Sequence, residues 1–435
     1  MDESQIGLIG VSILILLVFM GVRVVYAASM VGLGGLVAIL GWDAGAGIIG
    51  TIPHSKSVSY TLSVLPMFIL IGFLAFHAGF TDAIFDAARK WIGWVPGGLA
   101  VASVFAAAGF AAVSGASTAT AAVFSRIAIP EMLKYGYEKK LAAGVIAAGG
   151  TLASLIPPSA ILVIYAVIVE ESVGALLLAG FIPGIFSAAI YAIMIIMMAK
   201  RNPESAPPVS GYSWGERFRA IPGTLPIIFV VGIIFSSLYL GWATPTEAGA
   251  LGAGVVFVVA LVHGMRWKSF QEALLDTAKL TAMIFSIIWG VLAFVRFLGF
   301  AGLPEAFATW VVDLPLPPIL IMIGILIFYA VLGMFMDAIG MLLLTLPVVY
   351  PAVIALGYDP IWFGIIVVKM AEICLITPPI GLNCYVVNGV RPDIPLQDVF
   401  RGITPFFIAD VVTVGLLLAF PGIILWLPRL VMGGG

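Results

Sequence analysis

In the middle of an uncharged apolar run over residues 95–125 stands Ser114-Gly115-Ala116-Ser117-Thr118-Ala119-Thr120, small or hydroxylated throughout. Small residues let a backbone turn inside a membrane, and their hydroxyls and freed carbonyls are hard oxygen donors suited to a dehydrated cation such as Na⁺. Such residues also serve close helix packing; in a run too long for one crossing, the turn is favoured. The next apolar run, 141–169, holds Gly149-Gly150-Thr151 and then Leu155-Ile156-Pro157-Pro158-Ser159. Two consecutive prolines remove two backbone donors and clash with the preceding turn, so a helix there must break. A broken helix at membrane depth exposes backbone groups and is tolerated only inside protein or around a cavity.

A second pair of segments repeats the theme. Gly333-Met334-Phe335-Met336-Asp337-Ala338-Ile339-Gly340 interrupts the overlong run 314–350, and Thr377-Pro378-Pro379-Ile380-Gly381-Leu382-Asn383 interrupts 361–390. Asp337 is the sole charge between Leu314 and Tyr358, and an intramembrane carboxylate is a functional candidate by default. It is read either as part of a cation site or as the cap of the turn. Lys369 and Glu372, three apart on one helical face, are read as a mutually neutralising pair. Glu247 in Thr244-Pro245-Thr246-Glu247 is read as the acid of a helix start, with proline in the first turn.

The elements that position these groups follow from composition and charge. The chain has 435 residues, 62% hydrophobic and only 10% charged, against roughly 25% charged in a soluble domain. Its mean hydropathy is +1.18. Lipid must be the main solvent, which makes this an all-α polytopic membrane protein. Gln5–Val22 is expected to be a retained helix rather than a signal peptide. Three scattered histidines argue against a transition-metal site, and Cys374 and Cys384 are read as buried hydrophobes. No basic stripe suggests nucleic acid, and no phosphate-binding loop, nucleophile elbow or histidine–carboxylate cluster suggests an enzyme. Energy must then come from an ion gradient or another subunit, with no organic cofactor.

A crossing needs roughly 20 residues, so 95–125 and 314–350 are read as re-entrant hairpins. Charge supports this independently. With the N-terminus outside and two hairpins, all but four of the 20 lysines and arginines fall in cytoplasmic loops. Lys56, Arg296 and Arg429 fall outside, and Lys369 lies within a span. Turn residues also recur at one offset: Pro130 and Gly136-Tyr137 return as Pro351 and Gly357-Tyr358, and Pro157-Pro158 as Pro378-Pro379. One inserted residue then aligns Gly180 and Pro183 with Gly402 and Pro405. The repeat and the charge pattern together predict two inverted-topology repeats, an architecture of many secondary transporters. The expected organisation is scaffold helices in 1–61, a first repeat in 62–199, central scaffold in 200–279 and a second repeat in 280–435.

The stretch from Ser114 to Thr120, with Ile129-Pro130-Glu131-Met132, Ala147-Ala148-Gly149-Gly150-Thr151-Leu152, Leu155–Ser159 and Ala179-Gly180-Phe181-Ile182-Pro183-Gly184, resembles the large, DctM-like membrane subunit of tripartite ATP-independent periplasmic (TRAP) transporters. Ala243–Ala248 and Thr377–Gly381 resemble its later motifs, so the likeness spans nearly the whole chain. The resemblance implies a Na⁺-driven importer of organic acids in a bacterial or archaeal cytoplasmic (inner) membrane. It implies two partners, a small four-helix membrane subunit and a soluble periplasmic substrate-binding protein, and an elevator motion of the hairpins and broken helices. Since nothing precedes the first helix, the small subunit is expected on a separate chain. Ala116 stands where the family usually has serine, which moves side-chain roles onto Ser114, Ser117 and Thr118.

These readings combine into one expectation for the site. One Na⁺ lies between the first tip (Ser114, Gly115, Ser117, Thr118) and the first break (Gly150, Thr151, Ile156). A second lies between the second tip (Gly333, Asp337) and the second break (Thr377, Gly381). A small carboxylate sits between the tips, with Thr120, Ser159 and Asn383 as its expected contacts. The rivals are a Na⁺/dicarboxylate symporter or Na⁺/H⁺ antiporter that needs no binding protein and, from another class, a structural subunit of a membrane enzyme.

Overall fold

The computed structural model describes residues 2–209 and 211–433, and among them every regular element is a helix. Two apolar arms, α1 (Glu3–Phe19) and α2 (Val24–Leu40), meet at a turn carrying Arg23. α3 (Trp42–Ser57) follows, with Pro53 inside it; together with residues 61–77 it makes a bent pair at 57°. α4 (Val64–His77) leads into α5 (Phe80–Ile92), whose buried face is Phe80, Ile84, Phe85 and Ala87. α5 had no counterpart among the apolar runs, because an amphipathic 13-residue helix reads in sequence as a polar loop.

The first hairpin is α6 (Gly98–Ser114) and α7 (Ser117–Lys134), and the first broken helix is α8 (Lys139–Thr151) and α9 (Ala160–Val169). α10 (Val173–Arg201) runs 29 residues. A central group follows: α11 (Trp214–Ala220), α12 (Leu225–Tyr239) and α13 (Pro245–Val262). α13 opens with a capping box, the Thr244 amide and hydroxyl both donating to Glu247 Oε2 (2.7 and 2.8 Å), as the helix-start reading of Glu247 requires.

α14 (Trp267–Phe300) is the longest element at 34 residues, about 51 Å at 1.5 Å per residue. Then come α15 (Leu303–Val312), the second hairpin α16 (Pro318–Gly333) and α17 (Ala338–Ala355), and the second broken helix α18 (Pro360–Ile376) and α19 (Leu382–Val390). The last apolar stretch forms two helices, α20 (Leu396–Ala419) and α21 (Gly422–Met432), parted at Phe420-Pro421. Pro421 cannot donate an amide, which is reason enough for the stop. Thus the order helix, shorter helix, hairpin, broken helix, long helix occurs twice, in α4–α10 and α14–α20, although α4 has only 14 residues against 34 in α14.

Six helices among the described residues are long and apolar enough to cross a membrane, or seven if the bent pair counts as one span. Their outward faces carry large apolar side chains, Ile228, Phe229, Ile408 and Val411 among them. The two halves lock through small residues. A Cβ on Gly402 of α20 would lie 1.9 Å from the Lys140 carbonyl oxygen of α8, and one on Gly144 would lie 2.2 Å from the Gly402 oxygen. Backbones therefore touch there, the packing that small residues permit between helices in lipid.

Candidate functional site between two hairpin tips

Each tip is built by a short chain reversal. At the first, Gly115 ends α6 with φ +58° and Ala116 is extended before α7 starts at Ser117. Ser114 Oγ and Thr120 Oγ1 lie 2.9 Å apart, and the Thr120 hydroxyl donates to the Ala116 carbonyl (3.0 Å), so the tip is cross-braced from within. At the second tip, Asp337 caps α17 by accepting the Gly340 amide (3.0 Å). Asp337 thus occupies the capping role and also lines a cavity.

The first tip and the first break are in contact. Ser117 Oγ lies 2.6 Å from Ser154 Oγ, a Cβ on Gly115 would lie 2.3 Å from the Pro158 carbonyl oxygen, and one on Gly150 would lie 3.0 Å from the Ser117 oxygen. Thr151 donates to the Ala148 carbonyl (2.7 Å), and Ile156 is buried with its amide on Leu152 O (2.9 Å). Both breaks carry a cis peptide, Pro157-Pro158 and Pro378-Pro379. The second tip meets the second broken helix at Gly333, whose Cβ would overlap Cys374. Thr377 donates to Ile373 O (2.6 Å), while Gly381, at φ +47°, begins α19 with its Cβ direction 3.3 Å from Thr377 O.

Between the tips lies a cavity of about 870 Å³. Its wall holds Ser114–Thr118 of the first tip and Phe335–Ile339 of the second. Five helices also present their first residues to it: Val24 of α2, Ser117 of α7, Ala160 of α9, Ala338 of α17 and Leu382 of α19. Asp337 and Ser159 already cap α17 and α9, but α2, α7 and α19 start without a side-chain cap, and their free amides and positive dipole ends, with Arg23 beside them, favour an anion. Only two charged residues appear on this wall, Asp337 and Arg23.

The three expected substrate contacts are held elsewhere. Thr120 is consumed inside the tip, and Ser159 caps α9 by accepting the Leu162 amide while donating to Ser154 O. Asn383 is buried and donates to Ala147 O (3.1 Å), tying the second broken helix to the first. None of the three lies on the cavity wall. Lys369 and Glu372 do pair (2.7 Å), but Asp410 of α20 joins them at 2.7 Å from Lys369.

Three residues escaped the sequence reading. Ser154 sat between two motifs that were each read without it. Asp410 is the sole charge from Gly402 to Pro428, so the rule applied to Asp337 would have found it. Arg23 was counted only as a loop cation, since nothing local tells that the α1–α2 turn reaches the tips.

Paired hairpins, paired broken helices and a cavity between them define a polytopic helical permease rather than an enzyme. Residues 11–423 match the family model for the tripartite ATP-independent periplasmic transporter, DctM component, and the chain belongs to that family. It is 36% identical over 377 residues to the C4-dicarboxylate TRAP transporter large permease protein DctM of Pseudomonas aeruginosa, covering 86% of this chain and 87% of that one. It is 31% identical to the sialic acid TRAP transporter large permease protein SiaM of Vibrio cholerae, covering 87% and 88%. Among solved structures, the Alcanivorax borkumensis YdaH transporter shares the fold at a TM-score of 0.57 and 14% identity, over 90% of this chain and 91% of that one. This chain is therefore a TRAP large permease subunit.

Proposed function

We propose that this subunit imports a small organic acid, as its carboxylate, by Na⁺-coupled secondary transport. A periplasmic substrate-binding protein delivers the cargo, and a small four-helix membrane subunit on a separate chain completes the assembly in a bacterial or archaeal inner membrane, with the N-terminus outside. The observation that carries this reading is the convergence of the uncapped starts of α2, α7 and α19, with Arg23, on the cavity between the tips. One Na⁺ would use the oxygens that the first tip and first break bring together, from Ser114, Gly115, Ser117, Thr118, Gly150, Thr151 and Ile156. A second would use Gly333, Asp337, Thr377 and Gly381. Bound cations lower the cost of bringing a carboxylate out of water, so Na⁺ prepares the site for the anion.

The twofold element order supports reading the halves as inverted repeats, and the tie between the broken helices supports their moving as one elevator body against α1–α3 and α11–α14. The test is uptake into liposomes holding both membrane subunits, with the binding protein and labelled C4-dicarboxylate or sialic acid outside. Uptake should require an inward Na⁺ gradient and the binding protein. Equal uptake with K⁺ in place of Na⁺ overturns the coupling, and uptake without the binding protein favours a stand-alone symporter.

A further inference from the structure

Behind the first break lies a fully buried charge cluster that the transport site does not use. Lys369 and Glu372 of α18, Asp410 of α20 and Tyr191 of α10 are all 0% exposed. Lys369 Nζ lies 2.7 Å from Glu372 Oε2 and 2.7 Å from Asp410 Oδ1, and 5.6 Å from the centre of the Tyr191 ring. The Tyr191 hydroxyl donates to the same Asp410 oxygen at 2.7 Å. From the first broken helix, the Thr151 side chain lies against Tyr191 and the Leu155 backbone against Glu372. The ionisable members are thus one lysine, two carboxyls and a phenol.

That inventory does not balance. With both carboxyls ionised, the cluster holds one uncompensated negative charge in a fully buried site. Two of its oxygens, Glu372 Oε1 and Asp410 Oδ2, have no hydrogen-bond partner. A buried charge without a partner costs several kcal/mol, as does leaving bare carboxylate oxygens out of water. Lys369 serves one inner oxygen of each carboxyl and leaves both outer oxygens without a hydrogen-bond partner of normal geometry.

We propose that Glu372 and Asp410 form a proton-binding site, holding one proton between them beside Lys369 at neutral pH. The proton, drawn from water, converts one carboxylate to a neutral acid. It cancels the excess charge and removes the cost of burying one bare carboxylate. The phenol of Tyr191 and the ammonium of Lys369 fix the other oxygens, so the proton is carried by the carboxyl pair. Loss of this proton would place a negative charge behind Leu155 and Ile156, which would strengthen a cation bound on the other side of that break. The link to Na⁺ rests on the sodium reading above; the proton site does not.

The experiment is infrared spectroscopy of the full-length chain in lipid nanodiscs, reading the carbonyl stretch of a neutral carboxylic acid. At neutral pH the band should be present in both Na⁺ and K⁺ buffers and shift in heavy water. It should survive Asp337→Asn, which removes the carboxyl at the second hairpin tip, and be lost in Glu372→Gln and in Asp410→Asn. Lys369→Met should increase it, since two carboxyls would then have to be neutral. Absence of the band in the wild type overturns the proposal, with no variant needed. A band seen only when K⁺ replaces Na⁺ assigns the site to sodium and also overturns it, as does loss of the band in Asp337→Asn alone. The sodium link is read separately: Na⁺ affinity should rise with pH in the wild type and be flat in Glu372→Gln. Equal slopes remove the link while leaving the proton site standing.

Discussion

Gly115→Ala tests whether the contact between the first tip and the first break is the ion site. At Gly115 a Cβ would stand 2.3 Å from the Pro158 carbonyl oxygen, where an ordinary contact is 3.4 Å or more. Tip and break must then separate by roughly 1 Å, several times the ~0.2 Å tolerance of a metal-ligand distance. At least one oxygen leaves the shell. A contact to a charged group is worth about 1.5–3 kcal/mol, so Na⁺ should bind roughly 10- to 100-fold more weakly. The control is Gly136→Ala, which suffers the same left-handed strain (φ +83°) with only Pro207 Cγ, 4.0 Å away, near its Cβ. Half-saturating Na⁺ should be read from uptake into liposomes and from Na⁺-dependent thermal stabilisation of purified protein. Gly115→Ala should move both curves while Gly136→Ala lowers only the melting temperature. A folded Gly115→Ala protein whose Na⁺ curves overlay the wild type refutes the ion-site assignment.

Ser117→Ala and Thr377→Ala should each weaken Na⁺ dependence more than they weaken association with the small subunit, read by co-purification and Na⁺ titration of uptake. Arg23→Gln should reduce uptake of a dicarboxylate several-fold and Arg23→Lys much less, because Arg23 is the cation on the cavity wall; equal rates in Arg23→Gln would remove it from the anion's path. Thr244→Ala should destabilise α13 by about 1 kcal/mol through loss of its capping box, measured by thermal denaturation. Asp393, outside the spans, is held down to about 2 by hydrogen bonds from Arg391. Its lowered value means its contribution is complete above the unfolded value of ~3.9 and lost as pH falls toward about 2. Because the pair is partly exposed, Asp393→Asn should cost at most ~1 kcal/mol at neutral pH and converge with the wild type in acid.

Much of the architecture was legible because lipid leaves few ways to satisfy a backbone. Pro157-Pro158 and Pro378-Pro379 had to break their helices, and two overlong runs had to turn back at their small or polar midpoints. Amphipathic α5 was not legible, since its apolar face is visible only against α6. The tips and breaks were readable as polar interruptions, but the pairing of Ser117 with Ser154 depends on how α7 packs against the first broken helix. Asn383, a polar side chain beside a break, suggests cargo in sequence, while in the fold its amide nitrogen turns inward to the Ala147 carbonyl. Polarity at a break is spent on joining helices as readily as on binding a ligand.

The helix starts around the cavity also bear on how such a permease diversifies. Backbone amides exist at every position whatever the side chain, so a field made from them survives substitution of the residues that shape the wall. It attracts any anion and favours none by outline. Under the function proposed above, a lineage would exchange one acid for another by replacing the soluble binding protein, while the membrane machinery drifts in sequence and keeps its pull on charge.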